Sequence, residues 1–92
     1  MLVLTDKEKA ALERVKSQTA ARLVELRLEL AGVESRLAEI DVLGRVIGSN
    51  NLTAGELAER KSLFVEKARV ESEITNCENR SHALKAALDE LH

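Results

Sequence analysis

The eight residues GRVIGSNN, at positions 44–51, form the one cluster of turn-forming residues in this chain of 92 residues. Gly48 suits the position just after a helix, because glycine adopts a left-handed backbone conformation without a steric penalty. Gly44 offers an earlier stop, which would leave the last turn of the helix frayed. Because the chain contains no proline, the sequence predicts no kink in the segments on either side of this turn.

Two similar helix-start signals lie in the chain, one near its beginning and one just after the turn. TDKE at residues 5–8 and TAGE at residues 53–56 each place a threonine three residues before a glutamate. In such a capping box the threonine hydroxyl accepts from a backbone N–H, and the glutamate accepts from the N–H of the cap. The sequence therefore predicts a first helix at about residues 5–46, a turn at 47–52 and a second helix at about 53–91. Together they form a single helical-hairpin domain, residues 1–92.

Apolar residues recur at alternating spacings of three and four along both predicted helices, which is typical of a coiled-coil seam. If the chain folds back near Asn50, residues whose numbers add to 100 face each other, so that Leu37 meets Leu63. The same alignment brings Thr19 opposite Ser81. The predicted fold is all-α, a long antiparallel two-helix coiled-coil hairpin. Its seam consists of Leu12, Thr19, Leu23, Leu26, Leu30, Val33, Leu37, Ile40, Leu63, Val70, Ile74, Cys77, Ser81, Leu84 and Leu88.

This alignment also predicts which charged side chains flank the seam. Exposed ion pairs contribute at most about 1 kcal/mol each, so the apolar seam decides the register. The like-charged pairs could find opposite charges in a second copy of the chain. The expected attractive pairs are Arg36–Glu66, Arg27–Glu71 and Glu13–Lys85, and the expected repulsive pairs are Glu29–Glu73 and Arg22–Arg80.

A second apolar row follows the first helix on nearly the opposite side from the seam. Good helix propensity explains the alanines in this row, but it does not explain Val24, Leu28 and Val42, which are poor choices for a solvated face. We therefore expect the row to be a partner interface, most simply with a second copy. The result would be a homodimer packed as a four-helix bundle. The row comprises Ala21, Val24, Leu28, Ala31, Ser35, Ala38 and Val42.

Charge and composition weigh against several function classes. The net charge is −2, the chain has one Phe and no Trp or Tyr, and acids and bases are mixed along it. Such a chain has no basic face for nucleic acid and no cationic face for a membrane. Residues 1–4 are too short an apolar run for a signal peptide or a membrane span. With Cys77 as the single cysteine, we expect a cytoplasmic protein.

No set of residues points to catalysis. Cys77 lies on the seam opposite Leu23, where a small buried hydrophobe is expected rather than a nucleophile. Glu78 lies four residues before His82, but one Glu–His pair on a helix is common by chance, and no ligand lies four residues from His92. A thin hairpin also lacks a pocket in which carboxylate pKa values could shift. The sequence predicts no catalytic residue, no metal, no cofactor and no small-molecule substrate.

These features predict a non-enzymatic protein–protein interaction module. The hairpin would associate with itself and act on an unidentified protein as an adaptor, an assembly factor or a small inhibitor, of a kind that phages and mobile elements encode. The tip of the hairpin is the alternative docking surface. Its exposed residues are expected to be Arg45, Ser49, Asn50 and Asn51.

In outline, the predicted hairpin resembles the N-terminal coiled coil of the Gre transcript-cleavage factors. That resemblance implies, as the alternative function, a transcription regulator that docks its tip on RNA polymerase. Gre tips carry acidic residues that hold a metal in the polymerase site. This tip has Arg45 and no acid, with Asp41 and Glu56 only at its shoulders. The resemblance is therefore one of architecture, and no metal-holding residue carries over from it.

Overall fold

The computed structural model describes residues 3–91, so that His92 and part of the apolar run at residues 1–4 lie outside it. Helix α1 spans Asp6–Ile47, a 3₁₀ turn spans Ser49–Asn51, and helix α2 spans Ala54–Glu90. The two long helices lie side by side in a rod of 63 × 17 × 16 Å. The predicted all-α antiparallel hairpin is confirmed. Within residues 3–91, neither helix has an apolar run of the length needed to cross a bilayer.

Both predicted capping boxes form. The Thr5 hydroxyl accepts from the Glu8 backbone N–H, and the Glu8 carboxylate accepts from the Thr5 N–H, each at 3.1 Å. Thr53 and Glu56 repeat this exchange at 3.0 and 2.8 Å. Each box satisfies backbone N–H groups that the first turn of a helix leaves without partners. These local contacts explain why the helices begin where they do.

Loss of the second cap should destabilise the hairpin measurably. In Thr53→Ala the free energy of unfolding is expected to fall by about 0.5–2 kcal/mol, because a free N–H of the first turn loses its acceptor. Chemical denaturation followed by circular dichroism measures the change. Thr53→Ser keeps a hydroxyl and should stay close to the parent. Equal unfolding midpoints for the alanine variant and the parent would show that this cap contributes nothing.

The turn depends on two glycines for different reasons. Helix α1 continues through Gly44, the alternative stopping point, and ends at Gly48, whose φ of 89° favours glycine. Gly44 is buried, and a Cβ added there would lie 3.3 Å from Cδ1 of Leu52. The side-chain amide of Asn51 donates to the Ile47 carbonyl oxygen and so closes the end of α1. The chain therefore reverses tightly, with Leu52 packed against the last turns of α1.

The core is one layer of side chains between the helices. Leu26 and Val70 are 0% exposed, and Ile40 is 1% exposed. The buried hydroxyl of Thr19 is satisfied, because it donates to the Val15 carbonyl oxygen at 2.8 Å. No residue of the seam defined above is fully exposed. The buried ones are Thr19, Leu23, Leu26, Val33, Leu37, Ile40, Val70 and Leu88, and the half-buried ones are Leu12, Leu30, Leu63, Ile74, Cys77, Ser81 and Leu84.

The sequence predicted the wrong partners for the attractive ion pairs beside the seam. Arg36 binds Glu59 through two hydrogen bonds of 2.8 Å rather than Glu66, which is bound by Arg69 of its own helix. Each flanking side chain lies between two residues of the other helix that are one heptad apart, and Arg36 takes the one nearer the tip. Arg27 takes the carboxylate farther from the tip, because it lies 3.9 Å from Glu78 instead of meeting Glu71. Glu13–Lys85 is not among the ion pairs of residues 3–91.

The two expected repulsions are relieved within a single chain. Arg69 contacts Glu29 and Glu73 at 2.6 Å each and so bridges two carboxylates that were expected to oppose one another. Arg22 lines the same depression as Arg80, and its charge is compensated by Glu73 at 2.9 Å. Glu29, Glu73 and Arg22 therefore need no second copy to neutralise them, contrary to the expectation from the sequence.

The Arg36–Glu59 pair gives the hairpin a defined response to acid. Its hydrogen bonds, and then the charge of the guanidinium, hold the pKa of Glu59 below the ordinary glutamate value. Because the folded-state pKa is lowered, the pair stabilises the fold above the pH at which the unfolded glutamate ionises. That stabilisation is lost as the pH falls through the folded-state pKa.

Removing the guanidinium should therefore move the titration of Glu59. In Arg36→Gln the pKa of Glu59 is expected to rise toward the ordinary value, as measured by an NMR titration of its carboxyl carbon. Arg27→Gln is the matched control, because Arg27 lies beside Glu78 and not Glu59. If the Glu59 titration were the same in Arg36→Gln and the parent, the hydrogen-bonded pair would not exist in solution.

Candidate protein-interaction site

The second apolar row of α1 lies on the surface of the hairpin. Leu28 is 70% exposed, whereas Leu26, two residues earlier, is 0% exposed. Val24 and Val42 are exposed to 58% and 48%. Large apolar side chains aligned on an exposed face mark interaction surfaces more often than scattered single ones do. We name this row the α1 stripe, and all its residues are exposed: Ala21, Val24, Leu28, Ala31, Ser35, Ala38 and Val42.

The stripe extends further toward the tip than the sequence reading placed it. Val46, which is 76% exposed, lines a shallow apolar surface together with Ala38, Val42 and Leu43. Val46 follows Val42 by four residues, so helical spacing contained the signal. The predicted row ended at Val42, and Val46 lies among the turn formers at the predicted end of the helix.

An aromatic side chain of α2 borders the same region. Phe64 is 47% exposed and lies in a shallow depression with Ala38 of the stripe and Asp41 beside it. The guanidinium of Arg60 lies 5.3 Å from the centroid of the phenyl ring, within the range of a cation–π contact. Phe64 is the single phenylalanine of the chain, and the sequence analysis did not predict that it would border the stripe.

The middle of the stripe is made of small residues. Ala31, Ser35 and Ala38 lie between larger apolar side chains on both ends, and Gly32 lies beside them. A Cβ added to Gly32 would meet nothing within 4 Å. Glycine inside a helix is about 1 kcal/mol less favourable than alanine, and no contact of the single chain explains its presence. The centre of the stripe is thus flat and open, with no large side chain standing above the helix.

The charges on the two borders of the stripe are held differently. On one border, Glu25 is 3.2 Å from Arg22, and Glu39 is 2.9 Å from Arg36. Those arginines also bind α2, at 2.9 Å for Arg22 and 2.8 Å for Arg36. Both carboxylates of this border are therefore already paired with arginines of the same chain.

The other border is held more loosely. Arg27 is 3.9 Å from Glu78, and Asp41 is 3.4 Å from Arg60. These are the two longest ion pairs among residues 3–91, and the side chains of Arg27 and Asp41 are 59% and 50% exposed. Both charges are therefore largely accessible to solvent.

The tip is also exposed, but one of its residues has a structural role. Arg45, Ser49, Asn50 and Asn51 all lie on the surface. The Asn51 amide, however, is hydrogen-bonded to the end of α1. Arg45 lies in the last turn of α1, where a positive charge interacts favourably with the helix dipole. Three polar side chains thus remain available at the tip.

Groups suited to chemistry do not come together on the part of the chain that the structure describes. Among residues 3–91, no three His, Cys, Asp or Glu side chains are grouped as metal ligands would be. Cys77 is a free, half-buried thiol. The resolved pKa shifts belong to surface ion pairs: hydrogen bonds raise the pKa of Arg22, Arg36 and Arg69 and lower the pKa of Glu59 and Glu66. The α1 stripe therefore offers apolar contact area rather than reactivity.

In comparisons with protein-family models, curated proteins and solved structures, the chain matches none of them. What the fold and the surface define is a class of protein: a long helical hairpin with an exposed apolar face on one arm.

Proposed function

We propose that this chain is a non-enzymatic protein–protein interaction module, in which the α1 stripe joins two hairpins into a homodimeric four-helix bundle. The observation that carries the proposal is the alignment of Val24, Leu28 and Val42 on one exposed face. Moving a valine or leucine side chain from water into a packed interface contributes about 1.5–3 kcal/mol. A stripe of three such residues, flanked by alanines, is therefore a substantial driving force for association.

The thinness of the hairpin core supports the same proposal. A two-helix hairpin has a single layer of buried side chains, and small chains with little core often gain stability by association. Pairing through α1 would give that helix a second packed face while α2 stays outermost. The outer row of α2 is suited to water because it is mostly small and polar, with Ser72, Thr75 and Asn79 all exposed.

The paired hairpins would act on another protein as an adaptor, an assembly factor or a small inhibitor, of the kind found in phages and mobile elements. Val65 of α2 is 72% exposed and belongs to the arm opposite the stripe. It could serve this second partner while the stripe is occupied. We place the module in the cytoplasm, where a free thiol such as Cys77 stays reduced.

The direct test is the mass of the protein in solution. The parent is expected to have twice the chain mass of 10.1 kDa, and Leu28→Asp is expected to have the mass of one chain. A parental mass equal to one chain would contradict self-association.

A second candidate function is docking of the tip on RNA polymerase. The observation that favours it is a rod 63 Å long that ends in the exposed side chains of Arg45, Ser49 and Asn50. Such a rod can reach into a channel that a globular domain cannot enter.

A substitution at the tip separates the two functions. Under the main proposal, Asn50→Ala keeps the parental mass, because Asn50 lies in the turn beyond the end of α1. Binding to purified RNA polymerase, measured by biolayer interferometry, is then weak for both the parent and the variant. Tight parental binding that Asn50→Ala abolishes, with Ser72→Ala as the control at an exposed position of α2 away from the tip, would favour tip docking instead.

A further inference from the structure

Given the proposed dimer, on which this inference rests, we infer that the two α1 helices pack antiparallel about a twofold axis level with Gly32 and Val33. The two tips then point in opposite directions along one rod-like assembly. The inference follows from the order of side-chain sizes along the stripe and from the charges on its borders.

The order of sizes along the stripe is nearly the same in both directions. Large residues stand at both ends, Val24 and Leu28 on one side and Val42 on the other, with small residues between them. An antiparallel alignment about this centre faces Val24 with Val42 of the second copy, and Leu28 with Ala38 of the second copy. Alternate residues then interdigitate as they do in antiparallel coiled coils, and the full length of the stripe is covered.

Gly32 gains a function in this arrangement. The two Gly32 residues of the dimer meet beside the twofold axis, where the helix axes are closest. Small residues at such a crossing let the backbones approach, since no Cβ stands between them. In the single chain the space around Gly32 is open to 4 Å, which leaves room for the second helix.

The looser border of the stripe has complementary charges in the antiparallel alignment. Arg27 faces Asp41 of the second copy, and the twofold symmetry creates this pair twice. Both side chains are about half exposed and only loosely engaged within their own chain. In a parallel alignment Arg27 would face Gly32 of the second copy instead. That alignment would also bring Glu34 against Glu39 of the second copy, a pair of like charges.

The remaining charges tolerate the antiparallel alignment. Glu25 faces Glu39 of the second copy, but Arg22 and Arg36 neutralise these carboxylates within each chain. The two Glu34 side chains face each other at the axis, where they are exposed to solvent, so that their repulsion is weak. Only the antiparallel alignment creates attractive border pairs, Arg27 with Asp41 twice, so the border charges favour it over the parallel one.

A charge exchange tests this pairing. Arg27→Asp alone should weaken the dimer roughly tenfold in Kd, because two attractive exposed pairs become repulsive. Adding Asp41→Arg should restore most of the parental Kd, because the charges of both pairs are then reversed together. Lys61→Asp, at an exposed position of α2, is the control and should leave Kd unchanged. A failure of the double variant to recover would overturn the assigned pairing.

The distance between the tips decides the polarity. A nitroxide at Asn50→Cys, in the full chain with Cys77→Ala, would report the separation of the two tips by double electron–electron resonance. The antiparallel dimer predicts about 50 Å, from 17 residues on either side of the axis at about 1.5 Å each. A parallel dimer predicts less than about 25 Å, because packed helix axes lie only about 8–10 Å apart.

The outcomes for the inference and for the proposed dimer are distinguishable. A dimeric mass with the long distance supports both. A dimeric mass with the short distance overturns the polarity and leaves the proposed dimer intact. A monomeric mass with no intermolecular distance overturns both. Unlabelled Cys77→Ala, measured alongside, shows whether the loss of the thiol itself changes the mass.

Discussion

Replacing Leu26 with alanine is expected to lower the free energy of unfolding by about 2–5 kcal/mol. Leu26 is 0% exposed and lies in the single layer of side chains between the helices. Truncation removes its buried methyl groups and leaves a cavity that two long helices cannot close by a local shift. Domains of this size have total stabilities of roughly 5–15 kcal/mol, so the loss is a large part of the whole.

Urea denaturation followed by circular dichroism would measure this loss, with all proteins at one concentration, because association adds to apparent stability. Leu26→Met keeps the side-chain volume and should lower the free energy of unfolding by less than about 1.5 kcal/mol. A midpoint for Leu26→Ala equal to that of the parent would mean that the two helices do not pack through this layer.

Replacing Leu28 with aspartate should have the opposite pattern of effects. Leu28 is 70% exposed in the single chain, so a carboxylate there remains solvated and the hairpin keeps its helicity. In the dimer the same carboxylate would be buried against apolar side chains, which is unfavourable by several kcal/mol without a partner. We therefore expect Leu28→Asp to dissociate the assembly with little change in the circular dichroism spectrum at 222 nm.

The matched control is Ser72→Asp, which adds the same charge at an exposed position of α2 away from the stripe. Its mass should equal that of the parent. If Leu28→Asp keeps the parental mass, the stripe does not join two copies, and a different protein becomes the expected occupant. If Leu28→Asp unfolds instead, Leu28→Ser, which adds no charge, provides a milder test of the same surface.

The parts of the structure that follow from local rules could be predicted from the sequence. Thr5 and Thr53 each cap a helix because the required glutamate lies three residues later, which is independent of the rest of the fold. The apolar spacing also predicted that Leu26 would face the other helix. Leu28, from the same short segment, was predicted to lie on the opposite side, where the structure leaves it exposed.

The ion pairs could not be predicted in the same way. An arginine beside the seam reaches two carboxylates one heptad apart, and small differences in side-chain conformation decide between them. Arg36 can reach either Glu59 or Glu66, and Glu66 is already paired with Arg69. Arg69 itself lies outside the positions that flank the seam, so a register alone gave no reason to expect its contacts with α1.

The importance of Gly32 could be seen only once its surroundings were known. In the sequence it is a single glycine within a predicted helix. Helix propensity alone indicates only that glycine makes that helix less stable than alanine would. The role that we infer for it, in contact with another helix, rests on the open space around it and on the small residues beside it. The identity of a second protein partner has no comparable signal, because apolar surface favours association without specifying one partner.

The central claim is that the exposed stripe of α1 is a self-interface, and sedimentation equilibrium of the unmodified chain tests it most directly. At micromolar concentrations the measured mass should be twice the chain mass of 10.1 kDa and should fall toward one chain on dilution. A mass of one chain at every concentration would contradict the claim.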